Sequence, residues 1–186
     1  MKKIIFLLIA VFSISLGQSQ TEVGGATLPN NLEYGSEGLI LNGAGVREKF
    51  WMDMYAGGLY LQSKSSNAAE IMKADKPMAI KLHIVSKMIT SERMIDAINE
   101  GFDNATNGNT ASISSEIAKF KSFFDEQINK EDVFDIVYIP ADGVTVYKNG
   151  KRSGNIKGLE FKRALFGIWL SDKPADKDLK KGMLGK

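Results

Sequence analysis

Arg47 is the residue of this chain best equipped for chemistry. A guanidinium is always charged and offers a planar fork of N–H donors that fits a carboxylate or an enolate oxygen. It lies within LILNGAGVREKFWMDMYAGGLYL, residues 39–61, a strongly apolar stretch in which a charge needs water or an anionic partner. A bland role is open to it too, as a surface strand residue paired with Glu48 or Asp53. Counting in twos along an extended chain puts Arg47, Lys49, Trp51, Asp53 and Tyr55 on one side, with Val46, Phe50, Met52, Met54 and Ala56 on the other. On one straight strand Arg47 and Tyr55 would lie about 26 Å apart, at roughly 3.3 Å per residue. They meet only if the chain reverses near residues 48–51, where a hairpin would set guanidinium and phenol across from each other. Together they could hold a carboxylate or carbonyl oxygen while apolar side chains wrap the rest of a ligand. Met52, Met54, Met88 and Met94 offer adaptable apolar surface for that, or plain core packing.

Other chemistries find less support. His83 is the single histidine and sits beside Lys81 on the polar side of an alternating run, so it reads as a solvent-facing strand residue. One histidine and no cysteine give no zinc site of the usual kind and no thiol chemistry. No serine stands in a nucleophile-elbow sequence that could use His83. Gly43-Ala44-Gly45 lacks the third glycine and the following helix of a dinucleotide loop. It reads instead as a bulge or a close backbone approach within a sheet, and Gly57-Gly58 likewise. No cofactor and no metal are expected.

The elements that must position Arg47 follow from periodicity. Residues 21–36, rich in Gly, Pro and Asn, read as an irregular lead-in. Residues 39–46 and 50–61 have strand character, 67–74 forms a short helix, and 78–85 alternates as a strand. Residues 90–105 carry the clearest helix, with Thr90 or Ser91 as N-cap and Met94, Ile95, Ile98 and Phe102 as its stripe. A second helix is expected over 112–128, from Ile113, Ile117, Phe120, Phe124 and Ile128. Strands follow at 134–139, 144–148 and 151–156, the last two joined by the hairpin signal Asn149-Gly150. Helices at 159–170 and 175–184 close the chain. Strands early and late, with helices between and after, favour an α+β domain whose helices cover a mostly antiparallel sheet.

Residues 1–20 read as a secretory signal: Lys2 and Lys3, an apolar run over 4–14, then small residues. That run is shorter than the ~20 residues a membrane span requires, so residues 21–186 are expected as one exported domain, periplasmic or secreted. Its near-balanced charge of +2, with acidic and basic residues interspersed, gives no nucleic-acid surface. A monomer is expected.

The segments NGAGVR (42–47), YAGGLYL (55–61) and ALFGIWL (164–170) resemble the chalcone isomerase superfamily, and most of all its bacterial chalcone isomerase-like branch. The resemblance implies an open-faced β-sandwich, a large antiparallel sheet covered by a layer of helices with a ligand cleft between. In catalytic members an arginine at the position of Arg47 steers a chalcone phenolate onto its enone. Members that resemble fatty-acid-binding proteins keep the arginine and use a tyrosine to hold a carboxylate. Position by position, the resemblance sets Tyr55 where catalytic members have a strand threonine. It brings Thr90, Ala97 and Lys162 near the tyrosine, asparagine and late threonine of the catalytic set. Arg47, Tyr55, Thr90 and Lys162 are therefore the candidate ligand-binding residues, and Arg47 is the catalytic candidate if the protein is an enzyme.

Three functions compete. The first is a binding module for a small apolar carboxylate, such as a fatty acid, headed by Arg47 and Tyr55; it would show a deep apolar tunnel ending at Arg47. The second is an isomerase, or intramolecular lyase, acting on a phenolic enone; it would bring Thr90 or Lys162 within reach of the ligand. The third is an envelope protein-interaction domain with a closed cleft, which would have no cavity beside Arg47.

Overall fold

The computed structural model describes residues 19–186. The expected signal segment, residues 1–20, lies almost wholly outside the described residues. A hairpin of β1 (Gln20–Val23) and β2 (Ala26–Pro29) stands apart from a seven-stranded sheet. That sheet runs in chain order through β3 (Asn31–Tyr34), β4 (Glu37–Lys49), β5 (Met52–Leu61), β6 (Met78–Ile84), β7 (Val133–Ile139), β8 (Gly143–Lys148) and β9 (Lys151–Ile156). Every neighbouring pair is antiparallel. The helices are α1 (Ala68–Lys73), α2 (Ser91–Thr106), α3 (Ser114–Ser122), α4 (Leu159–Leu170) and α5 (Lys177–Met183). The α+β architecture, an antiparallel sheet covered by helices, is the one expected.

Two expectations need correction. Residues 21–36 are not irregular: they hold β1, β2 and β3. Each of these strands has only four residues, and inward alternation shows only at Ala26 and Leu28. The Gly24-Gly25 pair within the expected irregular lead-in is the hairpin turn, with φ of +55° and +73°. The helix expected over 112–128 is a 3₁₀ turn at Ala111–Ile113 followed by α3, which stops at Ser122. Phe124 and Ile128 keep the apolar spacing and the burial without the helix. The carbonyl of Phe124 accepts a hydrogen bond from Ser91 Oγ at the start of α2, so a tertiary contact replaces the next helical turn.

Alternation divides the sheet. Tyr55, Leu59, Leu82, Ile80, Phe134, Ile136 and Val146 face the helices and build the main core with α2, α3 and α4. Tyr60, Ala79, Val137, Leu39 and Leu41 form a smaller cluster on the other face. There the Tyr60 hydroxyl donates to the Pro29 carbonyl at the end of β2 (2.8 Å), and Lys81 pairs with Asp135. Helix α4 is apolar nearly all round because it is enclosed on nearly all sides, by the sheet and by α1 and α2.

Helix α5 docks on β4, at the glycines flagged in the sequence. A Cβ on Gly43 would collide with the carbonyl oxygen of Gly182, and one on Gly182 with that of Ala44, so two backbones touch where no side chain fits. A bulge between Leu41 and Gly43 frees Asn42 from the ladder. Its buried amide donates to the carbonyls of Met183 (2.8 Å) and Ser65 (2.9 Å) and accepts from Ser65 N–H (2.8 Å). One side chain thus ties together β4, the loop before α1 and the end of α5.

Candidate ligand cleft

The chain does reverse at Phe50-Trp51, and Arg47 stands directly across from Tyr55 in the β4–β5 register. The guanidinium carbon lies 5.8 Å from the centre of the Tyr55 ring. One residue on β5, Met54, is extra, because the register shifts between Arg47 and Glu48. The shift overrides the simple alternation, and Met54 is buried in the helix-facing core with Tyr55. The freed carbonyl of Met54 is not orphaned: it accepts from Val85 N–H (3.0 Å) and Ser86 N–H (3.2 Å).

Arg47 is half-buried, and among the described residues its guanidinium makes neither an ion pair nor a hydrogen bond. Glu48 and Asp53, its nearest acidic neighbours in sequence, face each other one register step away and leave it unpaired. Tyr55 is 3% exposed. Trp169, on α4, donates its indole N–H to the phenol oxygen (2.9 Å), leaving the phenol hydrogen as a donor. Burial pushes the Tyr55 pKa up, against the opposing pull of Arg47 and of the Trp169 hydrogen bond. A protonated phenol and an unpaired guanidinium together make a receptor for an anion's oxygens.

Two adjoining spaces border Arg47, and the smaller also borders Tyr55. The outer one, about 240 Å³, runs under the β4–β5 tip between Met54, Phe50, Met88 and the first turns of α2, with Arg93, Asp96 and Glu100 on its rim. The inner one is only about 30 Å³ and is walled by Tyr55, Leu82, Phe124, Ile136, Ile168 and Trp169. Arg47, Met94 and Ala97 line both. The inner space is the size of about one water molecule's share of liquid, so the deep apolar tunnel expected of a carrier is not open. Unbranched Met94 stands between the two, a side chain suited to swinging aside. The charge therefore sits between a half-polar space and a smaller apolar one.

Two of the four candidate residues lie elsewhere. Thr90 is exposed and caps α2, its hydroxyl accepting from Arg93 N–H (3.2 Å), and it lines neither space. Lys162 is fully buried and equally remote from the cleft lining. Its ammonium donates to the carbonyls of Ile71 (3.1 Å), Met72 (3.0 Å) and Ala74 (2.7 Å), filling the open end of α1. The rings of Tyr138 and Phe166 lie 5.2 and 5.4 Å from its Nζ. Burial first, then the charge of Arg163, pulls its pKa down to about 8. Both residues stabilise helix ends, a use of Thr and Lys that sequence position alone does not separate from ligand contact. His83 is on the outer face, as expected, and its Nε2 meets Glu131 Oε2 at 2.8 Å. Trp169 is the residue that sequence reasoning passed over. The signal was there: an indole in the apolar run ALFGIWL, residues 164–170, needs one acceptor.

A family model described as chalcone isomerase-like matches residues 20–185. The chain belongs to the chalcone isomerase-like family. The crystal structure of a fatty-acid binding protein from Arabidopsis thaliana is similar to this family member, with a TM-score of 0.72 and 20% sequence identity. The match covers 87% of this chain and 92% of that one. At that identity the likeness shows the shared fold. No curated protein matches the sequence.

Proposed function

We propose that this chalcone isomerase-like chain, of the family's bacterial kind, is an exported, monomeric and non-catalytic carrier of a small apolar anion such as a fatty acid. The observation that carries the reading is the unpaired guanidinium of Arg47, opposite the phenol of Tyr55, bordering both spaces. A half-buried cation without a protein partner is held by water or by an anion, and an anion that displaces the water gains the full fork of donors. A carboxylate placed there accepts two N–H bonds from Arg47 and the O–H of Tyr55, and its chain follows the apolar wall past Met94. The fatty-acid-binding function of the similar plant protein supports the same reading. The isomerase reading asked for Thr90 or Lys162 at the ligand, and both are engaged at helix ends. The protein-interaction reading asked for a closed cleft, and about 240 Å³ is open beside Arg47.

Native mass spectrometry with lipid extraction, run on the wild type and on Arg47→Ala, tests the proposal. A carboxylate-bearing lipid is expected in the wild type and not in the variant. An empty wild type that also ignores added palmitate would overturn it.

A further inference from the structure

Two hairpins of this sheet have the same geometry and opposite composition. The β8–β9 turn pairs Lys148 with Lys151 across Asn149-Gly150, with φ of +51° and +78°. The β4–β5 turn pairs Lys49 with Met52 across Phe50-Trp51, with φ of +54° and +59°. Left-handed backbone at both central positions suits Asn and Gly and disfavours bulky side chains. Residues 50 and 51 thus adopt a strained conformation and recover little by packing, for Phe50 is 68% exposed and Trp51 97% exposed. Met52 and Met88 are exposed beside them. Neither folding nor solubility explains two aromatics here; an external apolar phase does.

We infer that the Phe50-Trp51 tip is a membrane-insertion element that seats the mouth of the cleft on a lipid bilayer. Its use, exchanging an acyl ligand with the membrane, rests on the carrier reading above; the docking itself does not. Continuity with the cleft supports a bilayer, since Phe50 and Met88 are at once tip and wall of the outer space. Composition supports it too, because tryptophan and phenylalanine favour the headgroup boundary. Lys49 holds its ammonium 5.7 Å from the Phe50 ring centre, and Lys87 stands exposed beside Met88, both placed for anionic headgroups. Glu48 and Asp53 oppose each other one step behind the tip, so only a shallow insertion avoids bringing their charges to the surface. Shape argues against a protein partner. A two-residue convex tip cannot supply the roughly 800 Å² per side of a stable protein interface.

The test uses vesicles of phosphatidylcholine with phosphatidylglycerol, and the variant Phe50→Asn with Trp51→Gly, which installs the turn chemistry of β8–β9. This substitution relieves the strained turn, so lost binding cannot be ascribed to misfolding. The expected result is at least a tenfold weaker partition of the variant, about what removing two inserted aromatics implies, while Trp51→Gly alone, outside the lining of either space, keeps palmitate binding in solution. Lipids brominated near the headgroup should quench Trp51, while Trp169, hydrogen-bonded in the core, stays unquenched. Equal partition of the two proteins, or no quenching in the wild type, overturns the inference. So does sedimentation showing that the tip instead joins two copies of the chain. If palmitate binding fails while vesicle binding holds, the carrier reading falls and the docking stands.

Discussion

Arg47, on β4, and Lys162, on α4, are both cations drawn at least partly out of water, and their surroundings are opposite. Lys162 gives all three ammonium hydrogens to carbonyls at the end of α1 and has aromatic rings against it. Arg47 gives none of its five N–H groups to the described protein and borders open space. Burial alone would rank Lys162 as the more unusual residue, yet its bonds are satisfied and it closes a structural gap. A buried charge points to a ligand when its partners are missing, and to the fold when they are present.

The largest effect that would test this contrast is in stability. Lys162→Ala is expected to lower the unfolding free energy by about 3 kcal/mol or more, since it strands three carbonyls and opens a cavity. Arg47→Ala should change it by about 0.5 kcal/mol or less. Denaturant titration of both variants decides the matter, and equal losses would erase the distinction. Next in size is Arg47→Lys, which keeps the charge and loses the fork. It should weaken palmitate binding by about tenfold, read by calorimetry, while leaving the unfolding midpoint in place. Full affinity in that variant would mean that Arg47 acts as a point charge.

A further test of the contrast concerns pH. The Lys162 pKa of about 8 in the folded protein lies below its ordinary value of 10.5. Between those two values the unfolded chain binds more protons, so this residue's contribution to stability rises as pH climbs from about 8 to 10.5. Below 8 both states are charged and the contribution is flat at its lowest. The slope should vanish in Lys162→Met, as thermal melts across that range would show. Palmitate binding should be flat over the same range and should fall only as the ligand's carboxylate protonates at about pH 4–5.

Much of the cleft was legible in advance, for a physical reason. Strand parity and a two-residue reversal are local rules, and together they place Arg47 opposite Tyr55. What sequence concealed depends on contacts between distant segments. Met54 enters the core only because a register shift suspends alternation. The helix at 112–128 ends early because Ser91, over thirty positions earlier, takes the Phe124 carbonyl. Lys162 was assigned to the ligand by its position, whereas its partners belong to a helix end about 90 residues away in sequence. Short β1, β2 and β3 gave too few alternating residues to be told from loops.

The glycine seat under α5 also sets an order of events. Asn42 reaches Met183 across 141 positions, whereas the seven-stranded sheet is built from strands that follow one another in the chain. Closing so long a loop costs more entropy than zipping successive hairpins, so the meander can form first and α5 lands last. During folding the Gly43 groove must then wait, uncovered, until α5 arrives. For that interval the chain has its sheet and its arginine, but not the latch that holds β4 against α5.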